Sequence, residues 1–256
     1  MKRLAILGGT GVDQLQGFTP ESHHTVDTPF GAVSAAIESG RVNGMDVAFL
    51  QRHGQPRSLP PHRINYQANI WALQHIGITH VVALNAVGGI GPGLTPGTLV
   101  IPDQIIDYTS GRAHTFNEGG DSPPQHVDFS EPYSAHLRQA LLRACAEAGE
   151  RATRGGVMAV TQGPRLETAA EVRRLQRDGC DVVGMTGMPE ASLARELGLH
   201  YASLSMVVNA AAGLGDAPIT LEAIMAHLNT AAAASARVIS ALVTDAYFSD
   251  GVPVGG

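Results

Sequence analysis

Short apolar runs that end on a glycine or on one polar residue alternate along this chain with segments of helical periodicity, and that alternation constrains the fold more than any other feature. Leu4–Leu7 runs into Gly8-Gly9, His80–Val87 into Gly88-Gly89, Asp181–Met185 into Thr186, and Tyr201–Val208 into Asn209. Brief apolar runs bounded by turn signals suit buried strands. Val33–Ser39 and Met45–Arg52 flank Gly40-Arg41-Val42-Asn43-Gly44 and are predicted to pair as a hairpin. Thr98–Ile106 and Gly156–Thr161 read as further strands, and Thr25–Phe30 as extended. Helices are predicted over Asn65–Ile76, Tyr133–Ala148, Glu167–Arg177, Pro189–Leu197 and Thr220–Ala246. No break in composition divides the series. The expectation is one α/β domain, residues 1–248, with a central mixed β-sheet flanked by helices and a disordered tail over 249–256.

Composition excludes several classes. At 44% hydrophobic, 256 residues can bury a sizeable core. The net charge of −6 without a basic run argues against nucleic-acid binding. The charged fraction of 16% is low for a surface left wholly in water, which hints at contact with other subunits. Cys145 and Cys180 lack metal or redox spacing and read as buried thiols of a reducing compartment. Met1-Lys2-Arg3 leads into a short strand, not a secretory signal, and the Ala-rich stretch from Ala223 to Val243 is broken by polar residues, so it reads as a docked helix rather than a membrane span. The expected setting is cytoplasmic. Eleven histidines show no metal-ligand spacing, and no Gly-x-Ser-x-Gly elbow is present. No metal or cofactor is expected.

The polar residues at the strand ends carry the chemistry, because ligands of open α/β sheets bind outside the carboxyl ends of the strands. Gly8-Gly9-Thr10-Gly11 lacks the third glycine of a dinucleotide fingerprint, where Gln14 stands, and reads better as a phosphate nest with the Thr10 hydroxyl as an extra donor. Arg52-His53 ends a strand and offers a bidentate fork for phosphate, and Thr186 adds a hydroxyl. Singly these are weak signals; their common location points to an anion site. Glu167 and Asn209 sit in Gly-rich, apolar surroundings. A carboxylate accepts from a purine N1–H, and an amide donates to O6 and accepts from a protonated N7. Together they would read a 6-oxopurine and reject a 6-aminopurine. The polar stretch Ser110–Ser130 is long for a loop without structure, and such loops are usually functional.

Taken as a set, Gly8-Gly9-Thr10-Gly11, Thr28-Pro29-Phe30-Gly31, Arg52-His53-Gly54, Asn65–Leu73, Asn85-Ala86-Val87-Gly88, Gln162-Gly163-Pro164-Arg165 and Gly184–Glu190 resemble the methylthioadenosine phosphorylase and trimeric purine nucleoside phosphorylase family over nearly the whole chain. The resemblance implies a mixed-sheet α/β fold, a homotrimer, and phosphorolysis of a nucleoside with inorganic phosphate as co-substrate. It implies that Thr10, Arg52, His53 and Thr186 contact phosphate, and that Asn85, Ala86 and Met185 contact ribose and base. Glu167 and Asn209, followed by Ala210-Ala211, depart from the adenine-type members and match the 6-oxopurine pattern, whereas Asn65–Leu73 and Thr28–Gly31 look like the methylthioadenosine branch. The mixture implies 5′-methylthioinosine as substrate. Substrate contacts are also expected from Ala211 and from Leu221, which shares a helix face with Ile224 near the 5′ group. His126 or Phe129 of a neighbouring subunit, or His227, could approach the same group. Alternatives are a broad inosine/guanosine phosphorylase, a methylthioadenosine phosphorylase, a nucleosidase that uses water, and a nucleoside-binding protein without catalysis.

Overall fold

A computed structural model describes residues 2–9, 17–117, 119, 125–215 and 218–249. Eleven strands form one mixed sheet, in the order β2(Thr19–His24)-β3(Ile37–Val42)-β4(Met45–Gln51)-β1(Leu4–Gly8)-β5(His80–Gly89)-β10(Val182–Gly184)-β9(Val157–Val160)-β7(Gln104–Asp107). A branch leaves β5 through β11(His200–Ala210) to β6(Leu99–Ile101) and β8(Ala152–Arg154).

Strand β5 is the hub. Its first half pairs in parallel with β1, from Leu4↔His80 to Leu7↔Ala83. Beyond that point β10 takes over antiparallel, with Val183↔Gly88 and Val182↔Gly89. Along its other edge β11 runs parallel from His200↔His80 to Ala210↔Gly89. The sheet therefore divides where β1 leaves and β10 arrives, and the ends of β5, β10 and β11 converge there.

Helices cover both faces. Ile70 and Leu73 of α1(Tyr66–His75) join Ala191 and Leu193 of α4(Glu190–Glu196) in one apolar cluster. Leu137 and Leu141 of α2(Ala135–Glu147) join Val238, Ile239 and Leu242 of α5(Leu221–Leu242) in another. Three of these helices start where a short polar side chain takes up an orphan backbone N–H: Asn65 accepts from Ala68, Ser134 from Leu137 and Thr220 from Ala223.

Several boundaries differ from the sequence expectation. The β3–β4 hairpin closes on Asn43-Gly44 alone, both at positive φ (49° and 81°), so that Val42 pairs Met45; this two-residue geometry suits the twist of the strands. Thr98–Ile106 is two strands, not one. Pro102, which has no N–H, separates them, and the chain crosses from the β11 branch to β9. Strand β2 was not anticipated, because an exposed polar edge strand carries no hydrophobic alternation; Thr25–Phe30 lies just beyond it. The helix expected from Glu167 is α3(Ala169–Arg177), whose N-cap is Thr168. The C-terminal helix ends at Leu242 and a short α6(Ala246–Ser249) follows, so Ser249 belongs to an element and only 250–256 of the expected tail lie outside the described residues. The described part of Ser110–Ser130 has neither helix nor strand.

Candidate functional site

Where the sheet divides, a cleft of about 780 Å³, mouth included, opens over the strand ends. Its wall includes Arg52, His53, Asn85, Ala86, Glu167, Met185, Thr186 and Asn209, eight of the residues picked out from sequence. Thr10 lies outside the described residues.

Geometry changes the role of some of them. Arg52 is fully buried, and the Nε/Nη2 edge of its fork is not open to an anion. Nε donates to Glu190 Oε2 at 2.9 Å and Nη2 to Oε1 at 2.7 Å, while Nη1 donates to the Leu84 carbonyl at 2.9 Å. Three of its five N–H groups are taken and two remain. Burial works against the Arg52 charge, and Glu190 more than offsets it, holding the guanidinium pKa above its ordinary value. Tyr201 Oη donates to the same carboxylate at 2.8 Å. Nη1 also lies against Gly9, where a Cβ would sit 2.3 Å from the Leu84 carbonyl oxygen and 3.0 Å from Nη1. Only glycine allows the chain after β1 to come so close.

Thr186 and Asn85 form a relay. The Thr186 hydroxyl donates to Asn85 Oδ1 (3.1 Å), Asn85 Nδ2 donates to Ser203 Oγ (2.8 Å), and Ser203 pairs with Ser205 (2.9 Å). Both polar ends of Asn85 are thus engaged inside the protein. His53 Nδ1 lies 2.9 Å from the Leu59 carbonyl, which fixes the ring from that side.

Asn209 reaches the cleft through a β-bulge. Val207 pairs with Val87 and Asn209 with Gly88, so Val208 is an extra residue in β11. Consecutive side chains of a regular strand point to opposite faces, yet Val208 and Asn209 both line the cleft. Asn209 Nδ2 donates to the Ala210 carbonyl at 2.7 Å, which leaves that nitrogen a second hydrogen.

Glu167 precedes the cap of α3 and does not serve it. Thr168 accepts from the Glu171 N–H and Glu171 returns a bond to the Thr168 N–H, a reciprocal capping box. The bond to Glu167 comes instead from the Thr161 hydroxyl, at 2.5 Å to Oε1.

Two expected contacts fall elsewhere. Ala211 is buried in a cluster with Ile90, Val172 and Val183, its N–H held by the Gly89 carbonyl, and Ala212 lines the cleft in its place. Leu221 is 73% exposed and outside the cleft; it opens the first turn of α5, whose inward face at that level is Ile224 and Leu228, joined by Ile219. His227 Nδ1 faces the Val208 carbonyl at 2.9 Å and is not part of the wall. His126 is exposed and Phe129 packs against the core.

Sequence reasoning missed two supports. Glu190 ends the Gly184–Glu190 segment, whose sequence alone gives it no role. Arg112 had no signal, since it lies in the aperiodic loop. Its guanidinium donates to the carbonyls of Gln162 (3.0 Å), Met185 (2.9 Å) and Met188 (2.6 Å), tying the segment that carries Glu167 to the segment that carries Thr186.

A mixed-sheet α/β fold with a buried arginine, a hydroxyl relay and a carboxylate–amide pair around one cleft defines a nucleoside phosphorylase type of enzyme, and the chain belongs to the phosphorylase superfamily, whose family model matches residues 3–244. It is 52% identical over 240 residues to a probable S-methyl-5′-thioinosine phosphorylase of Xanthomonas campestris pv. campestris, covering 93% of this chain and 96% of that one. It is 47% identical over 227 residues to the 6-oxopurine nucleoside phosphorylase of Pyrococcus furiosus, covering 86% and 84%. Among solved structures, methylthioadenosine phosphorylase from Schistosoma mansoni in complex with adenine superposes with a TM-score of 0.90 at 30% identity, covering 95% of this chain and 91% of that one. Among the described residues no helix is long and apolar enough to cross a membrane.

Proposed function

We propose that this protein phosphorolyses 6-oxopurine nucleosides, 5′-methylthioinosine foremost, to hypoxanthine and 5-methylthioribose 1-phosphate, with inorganic phosphate as co-substrate. One observation carries the reading: Glu167 and Asn209, far apart in sequence, line the same cleft as Arg52, His53 and Thr186. The names of the relatives from Xanthomonas and Pyrococcus support it.

In this reading a phosphate oxygen attacks C1′ while the C1′–N9 bond breaks and its electron pair moves onto the purine. The sugar becomes oxocarbenium-like. Phosphate is held by the two remaining Arg52 N–H groups, His53, the chain at Gly9 and Thr10, and Thr186, whose one hydroxyl hydrogen turns from Asn85 to the anion. Met185 and Ala86 frame base and ribose. Asn85 serves as the brace of Thr186. Asn209 Oδ1 accepts a proton-bearing N7 and its second amide hydrogen meets O6; these contacts strengthen as charge reaches the base, so they favour the transition state over the ground state. Glu167 accepts the N1–H. An adenine ring would set its N1 lone pair against that carboxylate, a buried mismatch of large effect.

Ile219, Ile224 and Leu228 give the cleft an apolar side suited to a methylthio group, where a hydroxyl would need a partner. The exposed apolar residues Leu166, Leu214, Leu221 and Met225, one in the cleft wall and the others on segments flanking Ile219 and Ile224, are consistent with cover by a neighbouring subunit in a homotrimer. The same reading takes the enzyme to be cytoplasmic.

The test is one assay of methylthioinosine, methylthioadenosine, inosine and guanosine, with and without phosphate. Phosphate-dependent turnover of methylthioinosine with little of methylthioadenosine is the expected result. The likeness to a methylthioadenosine phosphorylase structure supports a second reading, phosphorolysis of methylthioadenosine, and preference for the 6-amino substrate would establish it. Phosphate should also raise the melting temperature, since a ligand of the native state stabilises by mass action. Turnover without phosphate and no thermal shift would indicate a nucleosidase.

A further inference from the structure

One oxygen of the Glu167 carboxylate already accepts a hydrogen bond from inside the protein. Thr161 Oγ1 donates to Oε1 at 2.5 Å, the range of a charge-assisted O–H···O⁻ bond. The same hydroxyl lies 3.4 Å from the Gly184 carbonyl, but it has a single hydrogen, and the shorter, charged acceptor takes it. Thr161 is itself anchored, its backbone N–H bonded to Gly184 O at 2.9 Å. It does not line the cleft. It approaches Glu167 from an adjoining cavity bordered by Tyr108, Gln162 and Arg174, and Glu167 stands in the wall between the two spaces.

We propose that Thr161 is a positioning residue that sets what the purine carries at C2, making the site select hypoxanthine nucleosides over guanine nucleosides. This rests on Glu167 meeting N1–H. Hypoxanthine offers that one donor on this edge, and one carboxylate oxygen satisfies it. Guanine offers N1–H and a 2-amino N–H side by side. A carboxylate takes such a pair by presenting both oxygens, as it does for an arginine fork. Here Oε1 is already engaged by the Thr161 hydroxyl. To serve guanine, the carboxylate must turn and lose the Thr161 bond, or leave the amino group unpaired in the cleft. The selection is one of hydrogen bonding, not of volume, because there is space beyond Glu167.

The test compares kcat/KM for inosine and guanosine, which share the same ribose, at saturating phosphate. The wild type is expected to favour inosine by about ten- to hundredfold, the worth of one unpaired buried donor. Thr161→Val, which keeps the shape and removes the hydroxyl, should cut that ratio by at least about fivefold, and Thr161→Ser should restore it. Equal use of inosine and guanosine by the wild type, or an unchanged ratio in Thr161→Val, overturns the proposal. Calorimetric binding of hypoxanthine and guanine to the wild type with phosphate needs no variant, and equal affinities would overturn it too. Failure of the underlying base contact reads differently: Glu167→Gln would then leave inosine turnover intact.

Discussion

Arg52 and Glu190 form a two-bond pair, Nε to Oε2 and Nη2 to Oε1, that solvent does not reach. Replacing one partner strands the other as an uncompensated buried charge. Glu190→Gln should destabilise the fold by about 3–5 kcal/mol and raise the KM for phosphate more than that for nucleoside, because the guanidinium loses its fixed aim. Urea denaturation and the two KM values measure these effects. An unchanged phosphate KM in the folded variant would separate Arg52 from the anion.

Asn209→Asp should move preference towards 6-amino nucleosides by about tenfold or more. A protonated Asp can donate to N7 and accept from the 6-amino group, while Glu167 still opposes adenine N1, so the shift is partial. The ratio of kcat/KM for methylthioadenosine and methylthioinosine reads it. Undiminished 6-oxopurine selectivity and rate would remove Asn209 from the base contacts.

Glu167→Gln should lower 6-oxopurine turnover far more than phosphate affinity and leave stability nearly unchanged. The cap of α3 belongs to Thr168 and Glu171, so the carboxylate of Glu167 has no part in starting the helix. Glu171→Ala should do the opposite, losing thermal stability with turnover of the folded fraction retained. Parallel melting curves and assays distinguish the two carboxylates.

Ile224→Ala should lower kcat/KM for methylthioinosine relative to inosine by about tenfold, since a fitted apolar wall loses its contact with the methylthio group. Leu221→Ala should leave the same ratio unchanged, because that side chain lies outside the cleft. A loss of ratio on Leu221→Ala instead would return Leu221 to the substrate contacts.

His80 predicts a pH dependence of stability. Burial, with His200 stacked on it at 4.7 Å and Lys2 nearby, lowers its pKa to about 3. The unfolded chain takes up a proton near the ordinary value of about 6.5, whereas the folded state does not. The stability associated with neutral His80 is therefore complete above pH ~6.5 and is lost as pH falls towards 3, a loss of about 1 kcal/mol at pH 5.5. His200 shifts in the same direction, for burial first and then its positive neighbours. Denaturation of wild type and His80→Gln at pH 7.5 and 5.5 should show the smaller loss in the variant.

Residue order by itself determined the α/β class, most strands and helices, and which polar residues stand at strand ends. It could do so because apolar periodicity and Gly, Asn, Ser and Thr boundaries are local properties, as Asn65 capping α1 and Asn43-Gly44 closing the hairpin illustrate. Only the tertiary structure decided what those polar groups do. The Arg52 fork, open on paper, is occupied by a carboxylate 138 residues away. Asn85 is turned inward to Thr186 and Ser203. An extra residue at Val208 brings Asn209 into the cleft, and α5 turns Ile224 inward where Leu221 faces out. Hydrogen-bond partners and the facing of side chains depend on which distant segments are packed together. Packing is a property of the whole sheet, and no window of sequence contains it.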